Sequence, residues 1–141
     1  MKINYKKLSI FILVPVLLGT LVGILTVPDA NIDSILPSWV FPVVWTILYI
    51  LMGISSYIIY EETNEISKIY IIQLVVNLLW SFIFFEFKLF TLAFIWILLL
   101  ILLVIIMIRD FISKNKLAGY LQIPYLIWLL IAAFLNLTFI M

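Results

Sequence analysis

Long apolar runs alternate along the chain with brief polar punctuation. The runs are Leu8 to Val27, Val40 to Tyr60, Ile66 to Phe85, Leu89 to Ile108 and Ala118 to Met141. Each has roughly 20 residues, the length an α-helix needs to cross about 30 Å of hydrocarbon at about 1.5 Å per residue. Barrel strands alternate in polarity and are about half as long, so continuous apolarity selects helices. The pattern predicts an all-α membrane protein in which residues 1–141 form a single bundle of five transmembrane helices.

The few polar and aromatic residues inside the runs are spaced regularly. Gln73, Asn77 and Ser81 recur at i, i+4 and i+8 in the third run, with Trp80 beside Asn77. Trp45, Tyr49, Met52 and Ser56 follow the same helical steps in the second run, and Tyr125, Trp128, Ala132 and Asn136 follow them in the fifth. Each set falls on one stripe of its helix. The simplest arrangement turns these three stripes inward. The fourth run carries little beyond Thr91 and Trp96 and is expected to lie mostly toward lipid.

Composition agrees with the pattern. With 67% hydrophobic residues, 11% charged residues and a mean hydropathy of +1.36, the chain cannot cover itself with a solvated surface. The basic residues then give an orientation. Lys2, Lys6 and Lys7 precede the first run, Lys68 opens the third, and Arg109, Lys114 and Lys116 lie between the fourth and fifth; only Lys88 falls on the other side. Basic residues are retained on the cytoplasmic side, so a multi-pass protein of the cell membrane is expected, with its N-terminus inside and its C-terminus outside. The first run is read as a retained helix rather than a signal peptide. It is long for such a segment, and "VGILTVPDA" is a poor cleavage site.

Several functions are excluded. A net charge of +1 without a basic cluster argues against nucleic acid. The chain has no cysteine and no histidine, which removes the usual thiolate and imidazole ligands and the usual general base, so no metal site and no resident cofactor are expected. No carboxylate, lysine or arginine lies within a run away from its ends, which argues against a proton-coupled pump.

Each remaining feature also has a plain structural reading. Trp39 and Tyr60 suit an interfacial belt. A lone Asn or Gln in a membrane helix commonly ties helices together. Gly19 and Gly23 form a GxxxG that fits either a homodimer or tight packing within the bundle. Pro15 and Pro124 are expected to kink their helices, shaping them or widening a pocket.

In combination these residues resemble a known family. "PSWVFPVVWTILYILMG", "QLVVNLLWSFIFF" and "PYLIWLLIAAFLN" occur in the order and at the places of the signatures of the TspO/MBR family, the bacterial tryptophan-rich sensory proteins and the mitochondrial translocator protein. The resemblance implies five helices around a pocket opening toward the first loop. It also implies a ligand class: tetrapyrroles, sterols in some members, and benzodiazepine-type drugs. Carried over residue by residue, the pocket tryptophans are Trp45 and Trp128, the third-helix asparagine is Asn77, and its neighbour is Trp80. The implied ligand-binding set is Trp39, Trp45, Tyr49, Asn77, Trp80, Tyr125, Trp128 and Ala132.

A porphyrin suits such a set, because indole and phenol rings stack on a flat apolar disc. The expected partners are therefore a porphyrin or related tetrapyrrole and the lipid bilayer, with the protein sensing, carrying or photodegrading its ligand. For light-dependent breakdown, the resemblance points to Trp45 and Trp128 as the reacting residues. The chain also departs from the family pattern. Its first loop, "PDANIDSILPSW", is short and lacks the usual Trp-Tyr pair, so a reduced lid is expected, and the usual proline after Ser81 is missing. The forward cholesterol pattern is absent because no basic residue follows Lys116, so sterol transport is not predicted. Two other readings remain open: a conduit for small solutes, which needs a continuous polar path, and a scaffold for partner subunits, which would tolerate leucine at the tryptophans.

Overall fold

The computed structural model describes residues 2–26 and 39–141. The segment between them, on which the reduced-lid expectation rests, lies outside the described residues. The helices are α1 (Tyr5–Leu25), α2 (Val40–Thr63), α3 (Lys68–Ser81), α4 (Phe90–Lys114), α5 (Lys116–Tyr120) and α6 (Ile123–Thr138). A single π-helical turn, Phe82–Glu86, prolongs α3, and α5 and α6 together make up the fifth span. Among the described residues, five stretches are thereby long and apolar enough to cross a membrane.

Local chemistry sets the helix ends. The Asn4 side chain accepts the Lys7 N–H at 3.2 Å, and Ser67 accepts that of Tyr70 at 3.2 Å. Asn115 accepts the Leu117 and Ala118 N–H groups at 3.0 and 3.3 Å. All three are residue types whose short polar side chains replace the missing helical acceptor at an N-terminus. α2 ends on Asn64, whose φ of 58° is a left-handed conformation that asparagine tolerates, with its N–H returning to the Tyr60 carbonyl at 2.7 Å. The two prolines act differently. Pro124 cannot donate to the carbonyl four residues back, and the fifth span breaks just before it and restarts with Pro124 in the first turn of α6, where no donor is needed. Pro15 lies within an unbroken α1.

The spans close into a ring. α1 packs on α2, α2 on α5, α6 on α4, α4 on α3, and α3 lightly on α1. This corrects the expectation for the fourth helix. α4 carries a buried stripe that includes Ala93, Ile97, Leu100, Val104, Met107 and Phe111, and it packs between α3 and the α5–α6 pair. The helix most open to lipid is α1, whose only buried residue is Pro15. An apolar helix presents the same residue types to lipid and to protein, so the absence of polar residues on α4 could not separate the two.

The glycines divide in the same way. A Cβ on Gly19 would run into the Tyr49 ring, whereas one on Gly23 would meet nothing within 4 Å among the described residues. Among those residues, the first glycine of the GxxxG serves packing inside this bundle and the second does not. The contacts also gather one end of the ring: Tyr57 Oη accepts the Asn4 N–H at 2.8 Å, Lys7 lies 5.3 Å from the centroid of Tyr60, and Asn115 donates to Glu62 at 3.0 Å. The N-terminus of α1, the C-terminal part of α2 and the α4–α5 junction thus share one end.

Candidate functional site

A directional chain of hydrogen bonds crosses the ring. Tyr49 Oη on α2 donates to Asn77 Oδ1 on α3 at 2.6 Å, and Asn77 Nδ2 donates to Tyr125 Oη on α6 at 2.8 Å. Tyr125 Oη then donates to Gln73 Oε1 at 2.8 Å, and Gln73 Nε2 donates to the Tyr70 carbonyl at 3.0 Å. All four side chains are buried. In hydrocarbon an unpaired polar group costs several kcal/mol, so a chain in which every polar side-chain atom has a partner and the last acceptor is a backbone carbonyl lets these residues stay inside. The sequence stripes on three helices meet here.

An aromatic cluster continues from this brace toward the start of α2. Trp45 stacks on Tyr49, with centroids 5.6 Å apart and planes at 24°. It meets Tyr125 and Trp128 edge to face, each at 6.3 Å, and Phe41 meets Trp128 at 5.9 Å. The Trp128 ring is buried and its Nε1–H has no acceptor among the described residues. A buried indole usually finds a partner, so this donor is the uncompensated group of the cluster. The two indoles stand at 88° to each other. A disc stacked on both faces would need near-parallel rings about 7 Å apart, twice the van der Waals separation of carbon atoms. A flat ligand can therefore lie on the face of one indole and meet the edge of the other.

The carried-over residues thus separate into groups. Trp45, Tyr49, Asn77, Tyr125 and Trp128 come together, and Ala132 is buried one turn beyond Trp128. Asn77 reaches the cluster through its two tyrosines, because its oxygen and nitrogen are each already engaged. Trp80 belongs to another cluster: it stacks on Phe84 at 4.9 Å, and its N–H donates to Asn136 Oδ1 at 3.3 Å. Asn136 in turn donates to the Phe90 carbonyl at 2.9 Å, tying α3, α4 and α6 together. The π-helical turn carries Phe84 and Phe85, which flank Trp80. Trp39 is 65% exposed at the head of α2, as an interfacial ring would be.

One residue of the site, Phe41, and one buried amide outside it, Gln122, escaped the sequence reading. Phe41 lies one turn before Trp45 on the same stripe, a spacing visible in the sequence but hidden among other apolar residues. Gln122 sits at the break between α5 and α6 with 0% exposure, and neither of its amide atoms has a partner among the described residues. Its signal was an amide three residues before Tyr125 in an otherwise apolar run.

Comparison with known proteins gives a consistent result. Residues 11–141 match the TspO/MBR family. The chain is 35% identical over 108 residues to the tryptophan-rich protein TspO of Chlorobaculum tepidum, covering 72% of this chain and 68% of that one. It is 34% identical over 122 residues to the tryptophan-rich sensory protein of Cereibacter sphaeroides, covering 81% and 77%. The translocator protein of Ovis aries is 33% identical over 107 residues, covering 71% and 63%.

Proposed function

The chain belongs to the TspO/MBR family of multi-pass membrane proteins, and from that premise we propose that it binds a tetrapyrrole, or a ligand of the same flat and apolar kind with polar edges, against Phe41, Trp45 and Trp128. The observation that carries this reading is the Trp128 Nε1–H, buried among aromatic faces without an acceptor among the described residues. A disc on the face of Trp45 would present its rim to that donor. Tyr49 and Tyr125 are held rigid from behind by Asn77 and Gln73, so they back the ligand without rearranging. As the rings stand, Trp45 is in edge contact with Trp128. Binding therefore has to part the two, and the half-buried Trp45 is the ring with room to turn.

Titration of the purified protein with protoporphyrin, followed by tryptophan quenching, tests this reading. Trp128→Phe keeps an aromatic ring and removes the N–H, and it should weaken binding roughly threefold to tenfold, the value of one net hydrogen bond. Unsaturable quenching, or identical affinity in wild type and variant, would refute the reading.

The basic residues gathered at one end support a cytoplasmic N-terminus in the cell membrane. A cysteine replacing Phe87, exposed at the turn before α4, should react from outside the cell with an impermeant thiol reagent. One replacing Ser113, at the opposite end, should react only after the membrane is opened; the reverse pattern would invert the orientation.

A further inference from the structure

Away from the aromatic cluster, a crevice of about 340 Å³ runs between α1 and α3. Its walls are Phe11, Val14 and Leu18 on one side and Ile71, Val75 and Leu78 on the other, with Ser56 of α2 and Tyr70 also lining it. Ser56 and Tyr70 are 1% and 6% exposed, and neither hydroxyl has a hydrogen-bond partner among the described residues. α1 touches α3 only lightly, so the two helices leave this space open rather than closing on each other. Val14 and Val75 are 48% and 50% exposed, which puts the opening on the lipid side of the bundle.

We propose that this crevice holds one acyl chain of an anionic phospholipid, with the lipid phosphate between Lys6 and Lys68. The length fits a single leaflet. From Lys68 to Leu78 the wall rises about 15 Å at about 1.5 Å per residue, about half the roughly 30 Å hydrocarbon thickness. The charge fits at one end only. Lys6 lies one turn before Ile10, and Lys68 one turn before Ile71, so helical register sets a lysine at the head of each wall. Both lysines are exposed, and neither has an ion pair among the described residues.

Lys68 is moreover the first residue of α3, where the helix dipole disfavours a cation and the free N–H groups favour an anion. A phosphate there would satisfy both the ammonium groups and the helix end. The ester groups below it would reach the depth of the first turns, where a buried hydroxyl such as that of Tyr70 lacks a partner. Basic pockets between membrane helices are general sites for anionic headgroups. A neutral lipid would fill the apolar walls and leave the lysines uncompensated.

Native mass spectrometry of the detergent-purified protein, titrated with phosphatidylglycerol and phosphatidylcholine of matched chains, decides the matter. The wild type should retain a first phosphatidylglycerol at least about tenfold more strongly than phosphatidylcholine. Each lysine near the membrane surface is worth roughly fivefold, so Lys6→Gln with Lys68→Gln should bring the two lipids to near-equal retention without altering the fold. Val75→Trp, which fills the crevice from α3, should lose the first lipid of either kind, and Val14→Trp should do the same from α1 should the former fail to fold. Equal retention of both lipids by the wild type, a preference unchanged in the lysine double variant, or retention unaffected by both tryptophans would overturn the proposal. So would cysteines at Val14 and Val75 that crosslink between two copies in the wild-type lipid environment, since the occupant would then be a second chain.

Discussion

Gly53→Leu is expected to be the most damaging single substitution in α2, lowering stability by about 3 kcal/mol or more and loosening α1 from the bundle. A Cβ at Gly53 would fall on the Phe11 carbonyl oxygen and lie 2.6 Å from the Ile12 Cα. These are backbone atoms, so no side chain can turn away and the helix itself must move. Overpacking commonly costs about 1 to 3 kcal/mol when side chains can adjust, and more when they cannot. Pro15 explains why the approach is so close. It cannot donate to the carbonyl four residues earlier, which is that of Phe11, and the α2 backbone lies against this same carbonyl. Small residues let membrane helices meet in this way, because packing rather than hydrophobic transfer holds them together. Gly23→Leu is the matched control. Among the described residues it meets open space, and it should change the free energy of denaturant-induced unfolding by no more than about 0.5 kcal/mol. Equal effects at the two positions would show that the α1–α2 contact is not the determinant.

Tyr125→Phe should have the next largest effect. The lost hydroxyl accepts from Asn77 and donates to Gln73, so two amides are stranded in the ring at once. Interhelical hydrogen bonds in membranes average about 0.6 kcal/mol, with a maximum near 1.7, so two of them give roughly 1 to 3 kcal/mol. Asn77→Leu removes the other partner and strands Tyr49, at a similar cost. The double variant should be less damaging than the sum of the singles, because both break the Asn77–Tyr125 bond. Denaturation in lipid-detergent mixtures reads the coupling, and strict additivity would mean that the two side chains do not interact. The same variants separate bracing from ligand contact. Loss of stability with unchanged porphyrin affinity makes Asn77 a brace alone, whereas loss of affinity at matched stability carries its role into binding.

Much of this was legible in the residues. Gln73, Asn77 and Tyr125 are costly in hydrocarbon unless they find partners, so their spacing on single stripes announced which faces of α3 and α6 point inward. Trp45 and Tyr49 extended the same argument to α2. The polar punctuation located the spans, although the ends moved by a few residues where caps intervened: α1 begins at Tyr5 after Asn4, and α4 runs on to Lys114 before Asn115. The break ahead of Pro124 follows from the proline itself, whereas the π-helical turn after Ser81 is a departure that hydropathy does not encode, since it depends on how individual carbonyls are satisfied.

By itself, then, the sequence determined that the chain carries five stretches long and apolar enough to cross a membrane, which faces of α2, α3 and α6 are inward, and which residues carry the family's aromatic and amide pattern. The reason is that hydrocarbon penalises every unpaired polar group, so polar residues report their own surroundings. Only the tertiary structure decided that α4 is packed between α3 and the α5–α6 pair while α1 lies open to lipid, that Trp80 pairs with Asn136 away from Trp45, that Trp45 and Trp128 stand perpendicular, and that Gly53 rather than Gly23 carries the close contact. Those are choices among apolar or already satisfied surfaces. Leucine and isoleucine are equally at home against lipid and against another helix, so shape complementarity between whole helices makes the selection, and no residue type records it in advance.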